Sequence, residues 1–393
     1  MSKHEHGFRD LEARLDVLRT RQLFRTRRIV ESPQGREIVV DGRSLLNFSS
    51  NDYLGLASDP RIAEAFQEGI RTWGSGSGAS HLISGHTAAH HALEEELADF
   101  VERPRALLFG SGYAANVGVI NALLSIGDQV FEDRLNHASL LDGGWISRAD
   151  FQWFEHRDMD QLRCLVERGA DRLGRRLIVS DGIFSMDGDQ CRLDELIAIA
   201  QRTESWLQID DAHGIGVYGP HGKGTVDPAR YATQDVPVLI GTLGKAFGTA
   251  GAFVAGEEAL IETLVQRSRN YIFTTAMPAA LACATSRSLK IVQQESWRRS
   301  RLTSLVRRFQ KGVQSLELPV PSSCSPIQPL VLGGTEMTLS VARSLEEQGC
   351  FVVPIRPPTV PVDTSRLRIT FTAAHSEADV DRLVDALNAA YTE

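Results

Sequence analysis

Between residues 105 and 255 the chain alternates short apolar runs with stretches of helical periodicity. The runs Arg105–Phe109, 129–132, Asp150–Phe154, Arg176–Asp181, Trp206–Asp210, 238–241 and 251–255 each read as a strand. Strands alternating with helices imply a largely parallel sheet covered on both faces. Ligands of such sheets sit beyond the carboxyl ends of the strands, where the following loops gather. Ahead of this region, 7–28 reads as an amphipathic helix with Phe8, Leu11, Leu15 and Leu18 on one side. Residues 36–48 read as a hairpin turning at Asp41-Gly42, and Pro60–Trp73 as a helix. A further helix, 87–101, carries Leu93, Leu97 and Phe100 inward and Glu94, Glu95 and Glu96 mostly outward. After the alternating region, 277–316 reads as a long helical stretch with an Arg-rich middle. Strands at 327–332, 351–354 and 366–372, with helices at 338–348 and 377–391, then form a smaller α+β lobe. The pattern divides the chain into an N-terminal helix and hairpin segment (1–50), a large domain (51–290) and a small C-terminal domain (291–393).

Composition narrows the function. With a net charge of −8, the chain lacks the cationic excess that phosphate neutralisation requires, so no nucleic-acid partner is expected. The cluster Arg19, Arg21, Arg25, Arg27 and Arg28 reads mainly as a solvated face, with one member free to reach a substrate carboxylate. Five scattered cysteines without a C-x-x-C pair fit a reducing compartment, and the first twenty residues hold no apolar signal core, so a cytoplasmic location is expected. The longest uncharged stretch, 106–127, is broken by four glycines and reads as strand, turn and helix rather than a membrane span.

Three segments carry chemistry. In WLQIDDAHG an apolar strand ends in two acids and a histidine, placing Asp210 and His213 in a loop at a strand's carboxyl end. A carboxylate there can hold a ligand's ring nitrogen protonated, as pyridoxal 5'-phosphate (PLP) requires. In TLGKAFG, again directly after an apolar run, Lys245 is hemmed by glycines and apolar residues. Poor solvation favours its neutral, nucleophilic amine. GSGYAAN follows the strand Arg105–Phe109 and opens a helix, so its backbone N–H groups can bind phosphate. Alone, the first segment suits a metal or a helix cap, the second a surface turn, and the third any strand-to-helix turn. Together they point to PLP.

These residues, with NFSSNDYLGL (47–56), NHASL (136–140), IFSMDGD (183–189), IFTTAMP (272–278) and IRPPTVP (355–361), resemble the α-oxoamine synthase family of PLP enzymes from about residue 11 to 391. The resemblance implies an aspartate-aminotransferase-like α/β fold, PLP fold type I, with a large mostly parallel sheet domain and a smaller α+β domain. It implies that Lys245 holds the cofactor covalently and that Asp210 pairs with the ring nitrogen. By the same resemblance His137 stacks on the ring, and Ser185 and His213 bond its phenolic oxygen. Gly112, Tyr113 and Thr242 serve the phosphate, joined by Thr274 or Thr275 from the other subunit of a homodimer with shared active sites. Asn51, Arg356 and Thr359 belong to the substrate site, and Arg25 to the acyl chain or its terminal carboxylate. The reaction so implied is a decarboxylative condensation of an amino acid with an acyl thioester. The Arg-Pro-Pro-Thr form of 355–361 implies L-alanine with pimeloyl-CoA or pimeloyl-acyl-carrier protein, rather than the substrates of glycine C-acetyltransferase. A non-catalytic family subunit would lack the lysine, whereas Lys245, Asp210 and His213 are all present.

His86 and His90 stand at the i, i+4 spacing of a zinc pair, but the pattern offers no H-E-x-x-H and no third ligand, so no metal is expected. His4 and His6 read as terminal, and Cys350 as packing.

Overall fold

A computed structural model of the protein describes residues 9–169, 173–316 and 323–392. His4, His6 and the first two residues of the helix expected at 7–28 lie outside the described residues. The fold divides into two compact units: one formed by residues up to Ser50 together with those from Ser304 on, the other by Asn51–Thr303.

In the first unit the N-terminal helix spans Arg9–Thr20 and stops well short of residue 28. Gln22 takes the left-handed conformation at φ 56°, while the N–H of Leu23 reaches the carbonyl of Leu18 and that of Gln22 the carbonyl of Arg19. This closing pattern normally uses glycine, so a glutamine at position 22 hides the stop from the hydrophobic pattern. The hairpin forms as expected from β1 (Glu37–Val40) and β2 (Arg43–Asn47). Asp41 and Gly42 both have positive φ, 49° and 74°, which matches a two-residue turn to the twist of its strands.

The second unit is built on a seven-stranded sheet. Its strands are β3 (Arg105–Phe109), β4 (Gln129–Asp133), β5 (Asp150–Phe154), β6 (Arg176–Asp181), β7 (Trp206–Asp210), β8 (Val238–Thr242) and β9 (Ala252–Gly256). Their order across the sheet is β3-β9-β8-β7-β6-β4-β5. All run the same way except β9, which is antiparallel to both neighbours. Only residues 243–251 separate β8 from β9, too few for the crossover that a parallel pair needs. On one face Leu107, Val119, Ile120, Leu177, Val238, Val254 and Leu264 pack into a continuous core. The carboxyl ends of β3, β4, β6, β7 and β8 therefore share one edge of the sheet.

Two expectations for this part of the chain need correcting. Glu94 does not face outward: it is 7% exposed and its Oε1 accepts the backbone N–H of Leu108 at 2.9 Å. Strand β3 is at the edge of the sheet, so this donor has no neighbouring strand, and the acid on the covering helix Ala88–Phe100 supplies the partner. Nor is 277–316 one helix. It breaks at Glu295 into Ala279–Gln294 and Ser296–Gln314, with no glycine or proline to announce the break. The Glu295 carboxylate there accepts from Arg61 at 2.5 Å and Arg298 at 2.8 Å.

The remaining strands return to the first unit: β10 (Ile327–Gly333), β11 (Cys350–Phe351), β12 (Pro354–Ile355) and β13 (Ser365–Thr370). The single strand expected at 351–354 is two short ones in different sheets. β11 runs parallel beside β2, and β12 runs antiparallel beside β13. Helices Thr335–Glu347 and Glu377–Thr392 complete the lobe. Among the described residues no helix is long and apolar enough to cross a membrane.

Candidate active site

A cavity of about 180 Å³ opens at the carboxyl ends of the strands, lined by Gly112, Tyr113, Asn116, His137, Ser139, Asp181, Asp210, Ala212, His213, Thr242 and Lys245. Asp210 is the last residue of β7, and Lys245 follows the end of the adjacent strand β8. Seven of the residues singled out in the sequence thus meet in one place.

Asp210 is held from two sides. Its Oδ1 accepts the N–H of Ala212 at 3.0 Å, and its Oδ2 accepts Asn116 Nδ2 at 2.6 Å. Asn116 sits on the first turns of helix Gly112–Leu123, whose N-terminus is capped by Ser111 accepting from Ala114 at 3.1 Å. Gln208 donates to the Asn116 carbonyl at 3.5 Å, which fixes the amide so that its NH₂ faces the acid. The same NH₂ donates to Ser139 Oγ at 2.8 Å. Ser139 therefore spends its own proton on His137 Nδ1, 2.7 Å away, and the Ser139 N–H points at that nitrogen too. His137 Nδ1 is an acceptor, so its proton is on Nε2 and the ring is neutral. Burial, with the Lys245 charge adding to it, lowers the His137 pKa against the pull of Asp210, in keeping with that assignment. The His137 backbone N–H donates to Asp181 Oδ2 at 2.6 Å. Burial beside Asp210 pushes the Asp181 carboxyl well above the usual carboxylate range.

The lysine loop is closed by backbone bonds from Leu243 to Gly251 and from Gly248 to Lys245, each at 2.9 Å. Gly248 has φ +64°, and a Cβ there would come within 2.4 Å of the Ala57 nitrogen, so only glycine fits. Lys245 Nζ lies 2.8 Å from His213 Nε2, and His213 Nδ1 lies 2.6 Å from the Tyr53 hydroxyl. Tyr53 in turn donates to Asn51 Oδ1 at 3.2 Å. With the ammonium donating to Nε2, the bonds run one way, from lysine to histidine to tyrosine to asparagine. Asn51 thus joins the site through Tyr53 rather than by lining the cavity. Thr242 Oγ1 donates to the Gly251 carbonyl at 3.2 Å, and Tyr113 bonds Asp142.

Other expected residues are not among those lining this cavity. Ser185 lies in the loop after β6, inside the bridge between Ile183 and Gln190, and does not line it. Thr274 and Thr275 are exposed, and Thr275 pairs with Ser80. Arg25, Arg356 and Thr359 belong to the other unit, where they line a groove of about 700 Å³ with Leu23, Phe24 and Val352. There Arg25 donates to Thr359 Oγ1 at 2.9 Å, and Arg356 to the carbonyls of Gln22 and Phe24. Burial, then the neighbouring charge of Arg25, lowers the Arg356 pKa.

The sequence reading missed Tyr53, Asn116, Ser139 and Asp181. Asp181 carried the same signal as Asp210, an acid ending an apolar strand. Asn116 is four residues after Gly112 and so shares its helix face. Tyr53 carried no local signal, because its role depends on a histidine 160 positions away.

The residues fit PLP. An acid with a fixed orientation can pair with a ring nitrogen, and a neutral imidazole can lie against a ring. The amine stands on the next strand's loop, and a helix N-terminus opens toward a phosphate.

Comparisons with known proteins agree in family. The model of the family described as aminotransferase class I and II matches residues 43–387. The 8-amino-7-oxononanoate synthase of Nitrosococcus oceani is 54% identical over 368 residues, covering 94% of this chain and 97% of that protein. That of Pseudomonas putida is 53% identical over 384 residues, covering 98% of each. Among solved structures, serine palmitoyltransferase from S. paucimobilis with a bound PLP–myriocin aldimine superposes with TM-score 0.92 at 28% identity, covering 98% of this chain and 97% of that one. The 8-amino-7-oxononanoate synthase of Francisella tularensis gives 0.77 at 29% identity, covering 88% and 98%.

Proposed function

The chain belongs to the class I and II aminotransferase family, among its 8-amino-7-oxononanoate synthases, and from that membership we infer the chemistry of its cavity. It is a PLP-dependent acyltransferase of biotin synthesis. Its substrates are L-alanine and a pimeloyl thioester, carried on CoA or on acyl-carrier protein. Alanine's α-carbon bonds to the pimeloyl carbonyl carbon, the alanine carboxylate leaves as CO₂, and the thiol departs. The observation that carries this reading is Asp210 and Lys245 lining one cavity from adjacent strands, in a chain more than half identical to these synthases. Overall shape alone would not choose the substrate, since a serine palmitoyltransferase superposes at least as well.

Bound PLP supplies an aldehyde for an amine and a protonated ring that takes up the electrons released at the α-carbon. Everything else falls to the chain's own side chains. Lys245 Nζ would hold the cofactor and, standing beside the substrate's α-carbon, would carry the α-proton. Asp210, oriented by Asn116 and the Ala212 N–H, keeps the proton on the ring nitrogen. His137 covers one face of the ring, fixed by Ser139. His213 and Ser185 bond the phenolic oxygen. Gly112, Tyr113 and Thr242 hold the phosphate, with Thr274 or Thr275 of a second copy completing it in a homodimer. Arg356 and Asn51 take substrate carboxylates, Thr359 also binds substrate, and Arg25 meets the acyl chain or its terminal carboxylate. Its expected compartment is the cytoplasm.

The test is thiol release from acyl thioesters of graded chain length, each offered with alanine, glycine or serine. Thiol should appear only when L-alanine and the pimeloyl donor are both present. Formation of a keto acid without any thioester would overturn the reading. Lys245→Ala should abolish both turnover and the visible absorbance of the bound cofactor.

A further inference from the structure

We propose that His86, His91 and Glu94 bind one divalent transition-metal ion of the zinc class, with His81 orienting His86. The zinc-like spacing in the sequence was that of His86 and His90, with no third ligand in view, and Glu94 was expected to face mostly outward. In the fold it turns inward, and one ligand atom from each of the three residues lies within 4.8 Å of the others.

Glu94 is built for the role. Its Oε1 is occupied by the Leu108 N–H at 2.9 Å, while Oε2 stands 3.9 Å from His86 Nε2. That gap is too long for a hydrogen bond. Two ligands each about 2.1 Å from a tetrahedral zinc lie roughly 3.4 Å apart, so an ion would need them to close by only about half an ångström.

His86 is prepared from its other side. Its Nδ1 faces Nδ1 of His81 at 3.2 Å, so one of these two like nitrogens must carry a proton. Metal at Nε2 places that proton on His86 Nδ1, donating to His81. This is the outer partner that metal-bound histidines ordinarily have. His81 is itself steadied by stacking on Tyr271, with centroids 4.9 Å apart and planes at 14°. His90 is not a ligand. Its Nε2 meets the Met277 carbonyl at 2.8 Å, and its Nδ1 takes the N–H of Thr87 at 3.2 Å, so both nitrogens are used.

Two imidazoles and a carboxylate favour zinc, cobalt or nickel over magnesium or calcium, and leave a fourth position for water. The ion would also brace the π-helical turn His81–Gly85. Ser80 pairs with Thr275, and the Ala276 N–H reaches the Ala79 carbonyl at 3.0 Å, so pinning His86 to the helix Ala88–Phe100 tethers residues 79–86 at both ends.

The test uses the full chain saturated with PLP, stripped by chelator, and titrated with zinc against a chromophoric competitor. One ion per chain is expected, with a cobalt absorption spectrum typical of nitrogen and oxygen ligands. His86→Ala and His91→Ala should each weaken binding roughly tenfold or more, and His81→Phe, which keeps the ring stack, by a similar factor. His91 is exposed on its helix, so that substitution tests the site without endangering the fold. Failure to hold an ion against the competitor would overturn the proposal. So would an affinity unchanged in both His86→Ala and His91→Ala.

Discussion

Tyr53 shows what a single buried hydroxyl does here. It is fully buried, and its oxygen links Asn51 to His213, the histidine that meets Lys245. Tyr53→Phe keeps the packing and leaves the Nδ1 of His213 without this partner. The loss should cost about 1–1.5 kcal/mol, or roughly a tenfold fall in kcat/KM. The cofactor's absorbance should persist, since Lys245 and Asp210 are untouched. An unchanged kcat/KM would mean that His213 needs no orienting. Lys245, Asp210 and His213 were legible in the sequence because each lies at, or three residues beyond, the end of an apolar strand. Tyr53 and Asn116 were not, because they act on those residues from distant parts of the chain.

At the level of elements, the ends of β4 and β5 and the loop after β6 are fastened by His156. Its Nδ1 lies 3.1 Å from Asp133 Oδ1 and its Nε2 2.9 Å from Asp189 Oδ2. Burial alone would lower its pKa, but bonds to the two acids outweigh it and raise the pKa to about 9. A folded pKa above the ordinary 6.5 gives stability that is complete below 6.5 and lost as pH climbs through about 9. The melting temperature should therefore fall by a few degrees across that window. His156→Gln should start lower and flatten the fall. An equal slope in both proteins would show that this clamp does not couple to folding. The inner strands β6, β7, β8 and β9 were legible almost residue for residue, since burial on both faces leaves largely apolar runs. Direction was not, although the nine-residue link before β9 already excluded a parallel crossover. Helix ends made without glycine, at Gln22 and Glu295, left no trace in the pattern.

For the molecule as a whole, the exposed Thr274 and Thr275 bear on assembly. If they complete the phosphate site of a second copy, Thr274→Ala/Thr275→Ala should need more cofactor for full activity. Mixing it with the inactive Lys245→Ala protein should then restore activity at low cofactor, because each hybrid dimer holds one intact site. No gain on mixing would place these threonines in their own chain's site or in none. The sequence pattern suggested boundaries near residues 50 and 290. It could not reveal that residues up to Ser50 join those from Ser304 on, because periodicity reports only on neighbours along the chain.

That joining has a consequence for how the chain is made. Leu46 and Asn47 of β2 pair with Cys350 and Phe351 of β11. A ribosome adding ~5–20 residues per second takes roughly 15–60 seconds to cover the intervening stretch. Throughout that delay one flank of the newborn hairpin has nothing to zip against, a sticky margin offered to any passing strand. The hairpin is thus finished long after it emerges, and a message truncated before Cys350 would spoil a structure laid down far upstream.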